Sequence, residues 1–110
     1  MQYVLLIYAE EGEQERHSDF RSVGDLHGKS TLIAAEELQP VATATTVRVR
    51  NGDTVVSDGP FAETKESLGG YCLIEADSLD EAIEWASRIP SARSGTVEIR
   101  PVVDNSEHRE

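Results

Sequence analysis

The residues best suited to chemistry lie in one short segment, residues 58–66, which reads DGPFAETKE. Its carboxylates, hydroxyl and amine could transfer protons or bind a polar ligand. Asp58 precedes a Gly-Pro pair, so its carboxylate is predicted to accept hydrogen bonds from the following backbone N–H groups in an Asx turn. The same carboxylate could instead orient a histidine or accept a proton, and the two roles are compatible.

The other residues of this segment each allow a structural and a functional interpretation. Phe61 is predicted to anchor the loop in a core or a dimer interface, with pocket lining as the alternative. Glu63 and Lys65 could pair, could bind a polar ligand, or could belong to a solvated loop. The predicted ligand-binding residues are Gly59, Pro60, Phe61, Glu63, Thr64 and Lys65, together with Arg48 and Tyr71 outside the segment.

Histidine is the usual proton-transfer partner of a carboxylate near neutral pH. His27 is the predicted catalytic partner of Asp58, with His17 as the alternative candidate. The structural interpretation of His27 is a surface residue at the C-terminal end of a helix, where the dipole favours its charged form. The histidines have no ligand spacing, and GxxxxGK[ST], GxGxxG, HExxH and CxxC are absent from the sequence, so we predict neither a metal nor a cofactor.

Composition narrows the classes of partner. The formal net charge is −11, which disfavours binding to nucleic acid and to anionic membrane surfaces. The single cysteine, Cys72, fits a reducing compartment. The apolar run at residues 3–8 is too short to span a bilayer and lacks the features of a signal peptide. We therefore expect a cytoplasmic protein.

Several strands must position these residues. Residues 3–8 are apolar on both faces, which is typical of a strand in the centre of a sheet. Residues 43–57 alternate in polarity around Asn51-Gly52 and are predicted to form a hairpin with a type I′ turn. Gly69-Gly70 precedes a strand over residues 71–76. The hydroxyls of Tyr71 and Tyr8 could face a pocket, although core packing is favoured for both. The last strand is predicted at residues 96–100, and Pro101 marks its end or an edge.

Two helices are predicted. The first falls within residues 10–29, and residues 31–35 could continue it or form a strand. The second begins after Ser78, whose hydroxyl is expected to cap it, and Pro90 ends it. Its predicted apolar face comprises Leu79, Ala82, Ile83, Ala86 and Ile89.

The element order predicts an α+β fold, a ferredoxin-like sandwich with two helices on one face of a mainly antiparallel sheet. Residues 1–103 are predicted to form a single domain, and residues 104–110 a polar tail. The helices cover one face of such a sheet only. Because the other face is also rich in apolar residues, we expect a homodimer that buries it.

The sequence also resembles a known family. DGPFAETKE lies between ATATTVRVRNGDTVV and SLGGYCLIEADSLDEAIEWA, and together these segments resemble the YCII-related family, in the branch named after its DGPF motif. The likeness covers residues 1–8 and about 38–103. It implies a dimeric α+β barrel, a His/Asp pair as the active site, a small-molecule site at the dimer cleft, and a link in some relatives to extracytoplasmic-function sigma factors.

Three functional hypotheses remain open at this point. The first is a cofactor-independent enzyme of the isomerase or lyase type, in which Asp58 and a histidine transfer protons while Lys65 or Arg48 holds an anionic group. The second is a non-catalytic module that binds a small ligand or regulates a sigma factor. In the third, the motif at residues 58–66 serves only the loop and the dimer.

Overall fold

A computed structural model describes residues 1–10 and 30–104 of the chain. The predicted first helix, with His17 and His27, lies outside the described residues, as does most of the predicted tail. The elements in chain order are β1 (Gln2–Ala9), β2 (Thr31–Glu37), a 3-10 turn (Val41–Thr43), β3 (Thr45–Arg50), β4 (Asp53–Asp58), β5 (Ser67–Glu75), α1 (Leu79–Ser87), α2 (Ser91–Ser94) and β6 (Thr96–Pro101).

The main sheet has the strand order β2-β5-β1-β6, and all neighbouring strands are antiparallel. β1 and β2 therefore run in the same direction with β5 between them. This arrangement is compatible with the ferredoxin-like fold, and it confirms the α+β class. The hairpin β3-β4 forms a second, separate sheet inserted between the second and third strands of the main one. β1 is a central strand, as predicted.

The core lies between the main sheet and α1. On the sheet side, Leu5 and Ile7 of β1 and Ile74 of β5 are fully buried. Trp85 of α1 and Ile89 just after it belong to the same cluster. The Ser78 hydroxyl caps α1 as predicted, because it accepts a hydrogen bond from the N–H of Glu81 at 3.3 Å.

The predicted apolar face of α1 is confirmed at Ala82, Ala86 and Ile89 but is wrong at Leu79 and Ile83, and it omits Trp85. Leu79 and Ile83 are 50% and 49% exposed, whereas Trp85 is 0% exposed. The buried face combines Trp85 with Ala82, Ala86 and Ile89. Burial of the indole removes more apolar surface from water than burial of either aliphatic side chain, and this difference favours the observed rotation of the helix.

The local predictions for the strands are mostly confirmed. Residues 31–37 form the strand β2 and do not continue a helix. Asn51 and Gly52 have φ angles of 54° and 82°, as a type I′ turn requires. β5 begins at Ser67, earlier than predicted, and Pro101 ends β6 at the edge of the main sheet.

The face of the main sheet that turns away from α1 is a mixed surface. Side chains alternate along a strand, so Val4, Leu6 and Tyr8 of β1 lie opposite to the buried residues of that strand. The register places Tyr71 and Leu73 of β5 beside them. All five are only half-buried. We call this surface the second face.

Candidate functional site

The hairpin β3-β4 leads directly into the DGPF segment, and backbone contacts hold the bend between them. Gly59 has a φ angle of 93°, a conformation that favours glycine. Its N–H donates to the carbonyl of Ala44 at 2.7 Å, and its carbonyl accepts from the Thr46 hydroxyl at 2.7 Å. The Gly59 N–H thus binds the carbonyl of the residue that precedes β3 and not the Asp58 carboxylate, so the predicted Asx turn is wrong for this N–H group.

The end of the segment is held to the main sheet. The Thr64 hydroxyl donates to the carbonyl of Glu66. The Glu66 carboxylate in turn accepts a hydrogen bond at 3.0 Å from the hydroxyl of Thr96, the first residue of β6. Two polar residues of the motif thus fix the path of the loop.

An open cleft of about 860 Å³ lies between this loop and the main sheet. The sheet contributes Tyr8, Ser67 and Leu68 to the walls. The turn before β3 and the first residues of β3 form a second wall of the cleft. The loop at residues 59–64 forms a third wall. The remaining lining residues are Val41, Ala42, Ala44, Thr46 and residues 59–64.

Five of the predicted ligand-binding residues meet at this cleft: Gly59, Pro60, Phe61, Glu63 and Thr64. The other predicted site residues, Asp58, Arg48, Lys65 and Tyr71, are not among its lining residues. Asp58 is exposed at the end of β4, where it pairs with Thr45. The predicted partners of Asp58, His27 and the alternative His17, lie outside the described residues.

Two finer predictions for the loop can be compared with the structure. Phe61 is 79% exposed, so it does not anchor the loop in the core of its own chain, and it lines the cleft instead. Within the described residues, the ion pairs join the N-terminus to Glu75 and Arg88 to Glu84. Glu63 and Lys65 therefore do not pair with each other.

Comparison with known proteins identifies the family. The model of the YCII-related domain matches residues 1–106. The chain belongs to the YCII-related family. It is also 39% identical over 114 residues to an uncharacterized protein of Rhizobium meliloti (strain 1021), and the match covers 93% of this chain and 92% of the relative.

The apolar residues before β3 that line the cleft of this YCII-related protein were not predicted from the sequence. Val41, Ala42 and Ala44 lie in the short segment after Pro40, which carries no motif of its own. The Tyr8 hydroxyl was predicted as a possible pocket group, but core packing was favoured. Its place on the second face depends on the register with β5 and β6. The pairing of Tyr8 with both Leu68 and Thr96 is what turns it toward the loop.

No metal-binding cluster is found in the part of the chain that the structure describes, since no three His, Cys, Asp or Glu side chains there could hold an ion. In the same residues, no helix is long and apolar enough to cross a membrane.

Tyr8 places a hydroxyl group at the wall of the cleft that the main sheet forms. Its hydroxyl donates to the Glu98 carboxylate of β6 at 3.3 Å. Burial raises the pKa of the Tyr8 hydroxyl, the Glu98 charge and its hydrogen bond raise it further, and Arg100 opposes them. The hydroxyl is therefore neutral across the physiological range, with its proton directed at Glu98.

Replacement of Glu98 by glutamine is expected to lower the pKa of Tyr8, because it removes a negative charge that disfavours the tyrosinate. Replacement of Arg100 by glutamine is expected to raise the same pKa, because Arg100 is the opposing charge. Both residues are exposed, so the fold should persist. Ultraviolet titration of each variant, with Tyr8→Phe to assign the transition, measures both shifts. Shifts of the same sign in the two variants would contradict this account of the site.

A raised pKa also sets the direction in which Tyr8 affects stability. The folded protein holds the proton more tightly than the unfolded chain, whose tyrosines titrate near pH 10. The contribution of Tyr8 to stability is thus complete below that pH and is lost as the pH rises through the folded pKa.

Proposed function

We propose that this YCII-related protein binds a small, largely apolar organic molecule in the cleft beneath the DGPF loop. The observation that supports the proposal is the cleft itself. Its volume of about 860 Å³ lies within the range of ligand pockets, roughly 300–1,000 Å³. Its walls combine apolar side chains with a few hydroxyls, which is the usual composition of such pockets.

A cleft-filling substitution tests this proposal. Ala42 lines the cleft and its side chain is exposed, so Ala42→Trp is expected to fill the cleft without disturbing the core. Nile red, a neutral dye that fluoresces in apolar surroundings, serves as the probe. We expect Ala42→Trp to weaken its binding at least about tenfold, which corresponds to ~1.4 kcal/mol.

Gln39→Trp is the matched control for Ala42→Trp. Gln39 is exposed in the same connection between β2 and β3 but does not line the cleft. This variant adds the same indole to nearly the same place in the chain and should leave Nile red binding unchanged. Equal affinities in the two variants, or no binding to the wild type, would remove the proposed site.

Acid–base catalysis is a second candidate function, and the hydrogen-bonded pair Tyr8–Glu98 at the cleft wall favours it. The Tyr8 oxygen could accept a proton from a ligand while its own proton passes to the Glu98 carboxylate, which would then act as the general base. Asp58 with His27 remains the alternative pair for an isomerase or lyase. If a cleft ligand is converted, Tyr8→Phe should retain its binding and lose its conversion.

A regulatory role is the non-catalytic version of the same proposal. In that case ligand binding would occur without turnover, and an extracytoplasmic-function sigma factor would be the partner. Capture of such a factor by the wild type, with dependence on the cleft ligand, is the result that would favour this role.

We further propose that the chain forms a homodimer in the manner of an α+β barrel. Its interface would join the two second faces and would include the apolar face of the hairpin. The partly exposed residues Val4, Leu6 and Leu73 support this proposal. The hairpin gives further support, because Val47, Val49 and Val56 lie on one of its faces and are all more than half exposed. A lone two-stranded hairpin is only marginally stable in water, so we expect another protein surface to pack against these valines.

The double substitution Val47→Lys with Val49→Lys is expected to raise the dimer dissociation constant on the order of 100-fold, because two cations per chain would enter an apolar interface. The matched control is Ile83→Lys with Leu79→Lys. Those residues are similarly exposed, but they lie on α1, which covers the side of the main sheet opposite to the second face.

Light scattering after size exclusion, over a series of protein concentrations, measures the dimer. Circular dichroism confirms that each variant is folded. A monomeric wild type at micromolar concentration would refute the homodimer, and dissociation caused only by the substitutions on α1 would place its interface elsewhere.

A further inference from the structure

We infer that the cleft selects molecules that carry hydrogen-bond donors on an apolar body, such as amines and alcohols, over carboxylates and other anions. This inference rests on the proposed function, because it names the ligand class of the same cleft. It reverses the expectation that Arg48 or Lys65 would hold an anionic group.

The first argument is the direction of the hydroxyl groups. The hydroxyls of Tyr8, Thr46, Thr64 and Ser67 line the cleft. The first three donate their protons to protein oxygens, namely the Glu98 carboxylate, the Gly59 carbonyl and the Glu66 carbonyl. Among the described residues, Ser67 is the exception. A hydroxyl has one donor and two acceptor lone pairs. What Tyr8, Thr46 and Thr64 can still offer a ligand is therefore acceptor capacity.

The second argument is the charge of the walls. Among the described residues that line the cleft, Glu63 alone carries a charge, and that charge is negative. Glu98 lies behind the Tyr8 hydroxyl at 3.3 Å. Arg100 also acts on Tyr8, but its effect on the pKa is smaller than that of Glu98. Arg48 and Lys65 do not line the cleft.

These two features act differently on ligands of opposite charge. An anion that enters the cleft loses hydration, and of the four hydroxyls only that of Ser67 can return a donor to it. A protonated amine finds hydroxyl oxygens and the Glu63 carboxylate, which are its natural acceptors. An alcohol gains the hydroxyl contacts without the charge. The expected order of affinity is amine, then alcohol, then carboxylate.

Displacement of Nile red by three octyl compounds of equal chain length tests this order. Octylamine, octanol and octanoate are titrated into the full chain at neutral pH, below the concentrations at which they aggregate. We expect octylamine to displace the dye at a concentration about tenfold or more below that of octanoate, with octanol between them. Equal or better displacement by octanoate would overturn the inference.

Two charge variants assign the effect to the cleft. Glu63→Gln is expected to narrow the gap between octylamine and octanoate severalfold. Glu84→Gln, on the exposed side of α1, changes the net charge by the same amount and should leave the gap unchanged. An equal response in both variants would attribute the preference to overall charge, and it would also overturn the inference.

The outcomes separate this inference from the proposed function. If Ala42→Trp leaves Nile red binding intact, the dye does not occupy the cleft and the proposed function fails. If the dye is displaced from the cleft but octanoate is the best competitor, cleft binding stands and only the ligand class is wrong.

Discussion

Replacement of Trp85 by alanine is expected to lower the free energy of unfolding by about 3–5 kcal/mol. Trp85 is completely buried at the centre of the cluster formed by α1 and the main sheet. Removal of the indole leaves a cavity that the surrounding strands can only partly fill. Within the described residues its Nε1 makes no hydrogen bond, so the loss is one of packing and apolar burial.

Urea unfolding followed by circular dichroism, at one fixed protein concentration, measures this change. The fixed concentration matters because dimerisation would add to the apparent stability. Ile83→Ala on the same helix is the matched control, and it should lower stability by no more than about 1 kcal/mol because Ile83 is half exposed. Similar unfolding midpoints for the two variants would contradict the observed orientation of α1.

The contrast between Trp85 and Ile83 shows what sequence patterns could establish here. The position of α1 was predictable, because Ser78 and Pro90 are local signals of its start and its end. Its orientation was not, since several sets of apolar residues share the helical period. Which set is buried depends on how the indole fits against β1 and β5, and such a fit is a property of the packed core.

The hairpin is the opposite case, because almost all of its determinants are local. Asn51 and Gly52 supply the positive φ angles, and the alternation of the two strands sets their register. The strand β2 lay between these extremes. Residues 31–37 have no clear period, and their pairing with β5 decides that they are extended.

The motif pointed to residues that line a cleft, but not to the contacts that hold them there. Residues 59–64 do face a cleft, as the motif suggested. The bond between Gly59 and Ala44 and the bond between Glu66 and Thr96 join residues far apart in the chain. Neither bond can be inferred from residues 58–66 alone. The bend that was predicted to depend on the Asp58 carboxylate is held by the backbone N–H and carbonyl of Gly59.

The topology separates the motif from the hydrophobic core. The hairpin and the DGPF loop are inserted between β2 and β5, and the core cluster contains none of their residues. The core therefore supports the site through the ends of β1, β5 and β6. A loop carried by a rigid scaffold is a common location for binding residues.

Gly95 lies against the backbone of Tyr8, which lines the cleft. Gly95→Ala is therefore expected to impair both the stability of the protein and ligand binding in the cleft. A Cβ atom at this position would lie 2.1 Å from the carbonyl oxygen of Tyr8 and 3.1 Å from the Cα of Ala9. Both atoms belong to the backbone of β1, so neither can move aside without shifting the strand. We expect a loss of about 3 kcal/mol in the free energy of unfolding.

The displacement of the β1 backbone should also alter the ligand site. Thr96 follows Gly95, pairs with Tyr8 and binds Glu66, so a displacement of β6 from β1 would move the Tyr8 wall and loosen the loop. Nile red affinity should therefore fall in the folded Gly95→Ala protein. Ser94→Ala, at the exposed neighbouring position in α2, should change stability by less than about 0.5 kcal/mol and leave affinity unaltered.

Comparison with Trp85→Ala separates the two kinds of damage. Trp85 does not line the cleft, so Trp85→Ala should reduce the fraction of folded protein while each folded molecule binds Nile red as the wild type does. Gly95→Ala should weaken binding even when corrected for the folded fraction, because the contact it disturbs is with the backbone of a cleft residue. Unchanged corrected affinity in Gly95→Ala would mean that the Tyr8 wall does not depend on the approach of β6.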